Sequence, residues 1–336
     1  MAASVTVSNL LTTNFMRWSD VGKVKRNTTL LHLILPSLIL GLTAVATLPA
    51  FAESAASGDF RGAVEVDGRK IHLECKGTDG PAVILISGYR NNAEIWTVEP
   101  GPGLTPVFTG VAGFTRVCTY DRPGTILDAD HLSRSDPVPM PRSADAIVAE
   151  LHGVLQASRI AAPYVLAAHS LGGLFCRLYA ATYPSDVVGI VLVDSWQEDL
   201  PAILGPAGWA AYVDLATPPP PGLKDYADLE LVDFAAASAR MSEAARAAPL
   251  PALPLFVISR AKPVQFPPDV PSAFSREAFE AAWRKGQARL AALLPDARHE
   301  IATESDHYVQ IQQPALVVDA IRAVVEAVRN PTTWRK

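Results

Sequence analysis

Residues 164–173 read YVLAAHSLGG, an apolar run that ends in a histidine, a serine and two glycines just before a helical pattern begins. A buried strand has no need of that ending. A strand that must turn at once into a helix does, because its turn residue is crowded, and small neighbours two before and two after let the backbone bend. Ala168 and Gly172 are those neighbours, and Ser170 is the turn residue whose hydroxyl is left exposed at the edge of a sheet. Read instead as a helix cap, Ser170 accounts for the hydroxyl but not for the small residues around it.

The rest of the chain supplies the sheet. Short apolar, β-branched runs recur in RKIHLECKG, PAVILISG, FTRVCTYDRPG, PYVLAAHS, VVGIVLVDS, LPLFVISR and ARHEIATES. Amphipathic stretches of helical length include Ser143–Ala157, Gly173–Tyr183, Ser275–Leu294 and Pro314–Val328. Apolar runs separated in this way predict the α/β class, with a doubly wound, mostly parallel sheet covered on both faces. The rhythm breaks from about 196 to 251, where Ala, Leu and Pro dominate and Pro218 to Pro221 run together. That segment cannot continue the sheet; placed after the strand ending at Asp194, it would cover the carboxyl ends of the strands as a lid. A disordered linker is the other reading of its proline-rich part.

With 49% hydrophobic residues, 19% charged residues and a formal net charge of -5, the chain of 336 residues is an ordinary globular one, and no basic patch for nucleic acid is supported. The long uncharged apolar stretch from Thr28 to Ala52 follows Lys23, Lys25 and Arg26 and ends in Ala50-Phe51-Ala52. A basic region, an apolar core and a small-x-small site are the order of an export leader, cleaved after Ala52. Residues 1–52 are therefore expected to be a signal peptide, with Met16 as an alternative start. An apolar core of about 20 residues also suits a membrane span, so residues 28–48 are an anchor if the leader is kept. Residues 53–336 then form one folded domain, periplasmic or secreted, or membrane-anchored. The three cysteines, Cys75, Cys118 and Cys176, are too few for a disulfide scaffold and lack the spacing of a metal site.

A serine hydroxyl is a poor nucleophile at neutral pH unless a base takes its proton. Among the seven histidines, His32 lies in the leader, His72 and His299 in strand runs, His131 in a polar loop and His152 on a helix, while His169 points away from its neighbour. His307, in ATESDHYVQIQQP, follows the last strand and precedes the last helix, at the edge where Ser170 stands. Asp194 closes VGIVLVD at that same edge and is the candidate for the acid that orients the base, with Asp269, Glu198 and Asp306 as alternatives. Two backbone N–H groups are placed for a developing oxyanion, that of Leu171 at the helix start and that of Tyr89 after Ser87-Gly88.

From about Glu65 to Val328 the chain resembles the α/β-hydrolase superfamily, and within it the lidded group of esterases, haloalkane dehalogenases and cofactor-independent haloperoxidases. ISGYRNNAEIW, CTYDRPG, AAHSLGG and SDHYVQIQQP carry the resemblance. Ser87 stands where that family usually has His, Ala168 replaces the first Gly of the turn, and TILDADHLSRS departs from the usual continuation after DRPG. The resemblance implies a helical lid after the strand ending at Asp194. It also implies a serine hydrolase working on small ester or related acyl substrates through an acyl-enzyme, with no metal or organic cofactor. In the dehalogenases the acid can follow the strand that here ends in Asp194, whereas the usual place one strand later reads FVISRAKPVQF and holds no carboxylate before Asp269. Their nucleophile is Asp, so Ser170 argues against dehalogenase and epoxide hydrolase chemistry. A haloperoxidase-like enzyme and a non-catalytic binding protein of the same fold are the alternative functions. In the implied fold the strand carrying HLECKG lies beside the one carrying TRVCTYD, so Cys75 and Cys118 are expected to form a disulfide with Cys176 free; two buried thiols are the other reading.

Overall fold

The computed structural model describes residues 58–266 and 270–334. The leader and Asp269 lie outside them. Among the described residues, eight strands form one sheet: β1 Phe60–Val66, β2 Arg69–Lys76, β3 Ala82–Ile86, β4 Val117–Tyr120, β5 Tyr164–His169, β6 Val187–Val193, β7 Leu255–Arg260 and β8 Arg298–Ala302. Their order is β1-β2-β4-β3-β5-β6-β7-β8. The first two strands are antiparallel to each other, β2 is antiparallel to β4, and every later pairing is parallel. The helices in chain order are α1 Glu94–Thr97, α2 Val107–Ala112, α3 Ala144–Ala157, α4 Gly172–Thr182 and α5 Leu200–Ala216. They continue with α6 Phe234–Ala247, α7 Arg276–Ala291, α8 Val309–Gln312 and α9 Pro314–Arg329.

Alternation along the central strands builds two cores. Ile84, Ile86, Leu166, Ala168, Ile190, Leu192 and Val257 face one way, onto α3, α4 and α7. Val83, Leu85, Val165, Ala167, Val191, Val193 and Ile258 face the other, onto α2 and α9. Strands buried on both faces need apolar residues at every position, which is why these runs show no polar alternation.

β1 was not among the expected strands. Its sequence, FRGAVEV, carries a glycine and two charges, and only alternate residues turn inward at the sheet edge. The hairpin to β2 is nevertheless written locally, because the two-residue turn Asp67-Gly68 has positive φ at both positions, 51° and 75°, and Asp-Gly is the sequence signal for such a turn. The expected helix starts at Ser143 and Ser275 prove to be N-caps, each serine accepting an N–H three residues on. α7 ends at Ala291 rather than Leu294, where Pro295 forbids continuation.

The segment between β6 and β7 holds two helices. α5 is broken at Gly205-Pro206, where φ of Gly205 is 71°, and α6 follows the proline run. Toward the β1 end of the sheet, Cys75 and Cys118 are directly opposed across β2 and β4 with a Cα–Cα distance of 4.1 Å, and they form a disulfide. Cys176 is free and buried on α4, where burial pushes its thiol up to about 12.

Candidate active site

β5 ends at His169 and α4 begins at Gly172, so the chain reverses within two residues. Ser170 takes the strain, with φ of 54°, a left-handed conformation disfavoured for any residue with a Cβ. Two glycines make the turn possible by close approach. A Cβ on Gly172 would lie 2.6 Å from the Ser87 carbonyl oxygen, and one on Gly173 would collide with Ser195. Hydrogen bonds then tie the bend to its neighbour: the Ser170 N–H donates to Val193 O at 3.2 Å, and the Trp196 N–H donates to Ser170 O at 2.8 Å.

His307 lies in the loop between β8 and α8. Its Nε2 is 2.9 Å from Ser170 Oγ, and its Nδ1 is 2.6 Å from Asp194 Oδ2. Asp194, fully buried past the end of β6 with φ of 39°, accepts three more bonds. The Arg260 guanidinium reaches Oδ2 at 2.9 Å, the Trp283 indole N–H reaches Oδ1 at 2.9 Å, and the Arg260 backbone N–H reaches Oδ1 at 3.3 Å. Burial alone would push this carboxyl up, but Arg260, His307 and Trp283 together hold it well below the usual carboxylate range. An ionised Asp194 can only accept, so His307 carries its proton on Nδ1 and offers a bare Nε2 to the serine hydroxyl.

The other candidates are engaged elsewhere. Asp306 accepts from the Tyr308 N–H and the Gln312 amide, shaping its own loop. Glu198 pairs with Arg177 at 2.5 Å. His72 meets Glu74, His131 meets Asp128, His152 stacks on Tyr183 and His299 meets Ser259. His169 does point away from Ser170, but it supports the site from behind, with Nε2 2.8 Å from the His307 carbonyl oxygen. Burial, with His307 alongside, pushes its imidazole down to about 3, so it is neutral and donates that bond.

Leu171 precedes α4, so its N–H lies at the positive end of the helix. Gly88 lies hard against Ser170, since a Cβ there would be 2.9 Å from Ser170 Cβ. Among the described residues, neither the Leu171 N–H nor the Tyr89 N–H donates a hydrogen bond. Around this point aromatic rings form an arc from His307 through Trp283, Trp196 and Phe234 to Tyr89, with neighbouring centroids 4.8 to 6.2 Å apart. Trp209 and Tyr212 of α5 stand behind it. Among the described residues no group of His, Cys, Asp and Glu could hold a metal ion, and no helix is long and apolar enough to cross a membrane.

Sequence reasoning did not find Arg260 and Trp283. Arg260 ends β7, at the strand end usually followed by the acid, and a lone arginine there was the available signal.

A family model described as the alpha/beta hydrolase family matches residues 83–320. Among curated proteins, the uncharacterized protein YqjL of Bacillus subtilis is 28% identical over 130 residues, 38% of this chain and 46% of that protein. The chain thus matches less than half the length of its curated relatives. Among solved structures, a thermophilic esterase from Thermogutta terrifontis superposes with a TM-score of 0.53 at 19% identity, over 80% of this chain and 99% of that one. A haloalkane dehalogenase from Agrobacterium tumefaciens gives 0.53 at 15% identity, over 82% and 98%. At such identities the likeness is one of fold.

Proposed function

The chain belongs to the alpha/beta hydrolase family, and from that premise we propose that it is a serine hydrolase of small esters or related acyl compounds. One observation carries this reading: Ser170 Oγ, the His307 imidazole and the Asp194 carboxylate form one hydrogen-bonded line at the strained turn. Such a line does one thing well. His307 Nε2 takes the hydroxyl proton as Ser170 Oγ attacks the substrate carbonyl carbon, and Asp194 stabilises the imidazolium that forms. The tetrahedral oxyanion is held by the N–H groups of Leu171 and Tyr89, with the positive end of α4 behind the first. His307 then protonates the leaving alcohol, which departs as an acyl ester forms on Ser170. Water, deprotonated by His307, releases the acid and restores the serine. None of these steps draws on a metal or an organic cofactor.

Residues 196–251 act as a lid in this reading. Their aromatic and aliphatic side chains, with Trp196 beside Trp283 and Phe234 beside Tyr89, favour a substrate with an apolar acyl or alcohol part. The Cys75–Cys118 bridge supports export, since disulfides persist in oxidising compartments. Hydrolysis of p-nitrophenyl esters of graded chain length tests the activity. Ser170→Ala is expected to lower turnover by roughly 10⁶-fold with an unchanged melting temperature, and unchanged turnover in that variant would exclude the mechanism.

A further inference from the structure

The loop after β3 runs past Ser170 at Gly88 and Tyr89, and two buried charges grip it from the opposite side. Arg122, just past the end of β4, is fully buried. Its guanidinium donates to the Ser87 carbonyl at 2.8 Å and to the Gly88 carbonyl at 2.6 Å. The same guanidinium pairs with Glu230, whose Oε1 lies 2.6 Å from Nε and whose Oε2 lies 3.2 Å from Nη2. Glu230, also fully buried, accepts the Arg90 backbone N–H at 2.5 Å. The two peptide units that flank Tyr89 are therefore both held by this one ion pair.

A trans peptide is planar and sets its N–H opposite its C=O. An arginine that fixes the Gly88 carbonyl therefore aims the Tyr89 N–H the other way, out of the Arg122 pocket. Gly88 lies against Ser170, and no group among the described residues takes up that N–H. Stability is a poor reason for such a pair, because buried ion pairs replaced by apolar residues of similar volume are often neutral or stabilising. A planar fork that locks two carbonyls is a good way to fix a donor's direction.

Glu230 comes from the segment between β6 and β7, and Arg90 ties the loop to that segment again. Its guanidinium donates to the carbonyls of Thr217, Pro218 and Glu230 at 2.7, 2.8 and 3.1 Å. We propose that Arg122 and Glu230 are positioning residues that hold the Tyr89 N–H in its oxyanion-binding direction, so that the β6–β7 insertion completes the catalytic geometry as well as covering it. This rests on the serine-hydrolase reading above.

The test uses the full chain and three variants. Arg122→Lys keeps the charge beside Glu230 but loses the fork, Glu230→Gln keeps the shape but loses the charge, and Arg122→Met with Glu230→Leu replaces the buried pair by apolar side chains so that folding survives. For each, kcat and KM are measured on a p-nitrophenyl ester, together with the inhibition constant of an aryl trifluoromethyl ketone, whose hemiketal oxygen occupies the oxyanion position. The expected result is a kcat lower by on the order of 10²-fold, a KM within about threefold of wild type, and a loss of ketone affinity that tracks the loss of kcat. A folded variant with kcat within about twofold of wild type, a change in KM alone, or undiminished ketone affinity overturns the proposal. Wild-type protein that hydrolyses no ester and takes no fluorophosphonate on Ser170 signals failure of the serine-hydrolase reading itself.

Discussion

Asp194 is saturated by donors. His307 Nδ1, the Arg260 guanidinium, the Trp283 indole and the Arg260 amide all point hydrogens at its two oxygens. Asp194→Asn must therefore set an amide NH₂ against a donor whichever way the side chain is flipped. The variant is expected to lose about 10⁴-fold in kcat through the wrong imidazole tautomer and about 1–3 kcal/mol of stability from the unmade bonds, read by ester kinetics and urea unfolding. His169 gives a pH prediction of a different kind. Its folded value of about 3 lies below the unfolded value of about 6.5, so the unfolded chain takes up a proton that the folded chain refuses. Its contribution is complete above about pH 6.5 and is lost as pH falls toward 3. Between pH 7 and 5 that amounts to about 2 kcal/mol, and His169→Gln should flatten this part of the stability profile. An equally steep profile in the variant would assign the loss to other groups.

Between elements, the bridge from β2 to β4 closes a span of 43 residues. Chain-entropy reasoning gives such a closure about 4 kcal/mol. Unreduced, denatured protein should titrate one thiol per chain, from Cys176, and Cys75→Ala with Cys118→Ala should lower the urea midpoint. Three thiols would remove the bridge from the description. Local pattern made much of this scale legible: the apolar runs mark β2 to β8, the serines mark the starts of α3 and α7, and the small residues mark the turn at Ser170. What stayed hidden depends on contacts between distant elements. β1 shows only half an apolar pattern because it lies at an edge. Arg260 reads as the last residue of an apolar run until the ends of β6 and β7 are brought side by side. Glu230 sits in an Ala- and Pro-rich stretch with no mark of its partnership with Arg122, 108 positions away.

Across the whole molecule, the residues given chemical roles come from one edge of the sheet. Gly88 and Tyr89 follow β3, Arg122 follows β4, Ser170 follows β5, Asp194 follows β6, Arg260 ends β7 and His307 follows β8. Parallel strands deliver all their carboxyl ends to the same side, so residues far apart in the chain meet there without any sequence motif joining them. The β6–β7 segment contributes a charge to that edge, Glu230 against Arg122. Everything proposed about activity depends on Ser170 being activated by His307. The direct measurement is the rate of fluorophosphonate modification of the full chain, with the adduct located by peptide mass spectrometry. A stoichiometric adduct on Ser170, absent in Ser170→Ala and slowed by orders of magnitude in His307→Gln, is the expected result. No adduct on Ser170, or one that forms equally fast without His307, would contradict it.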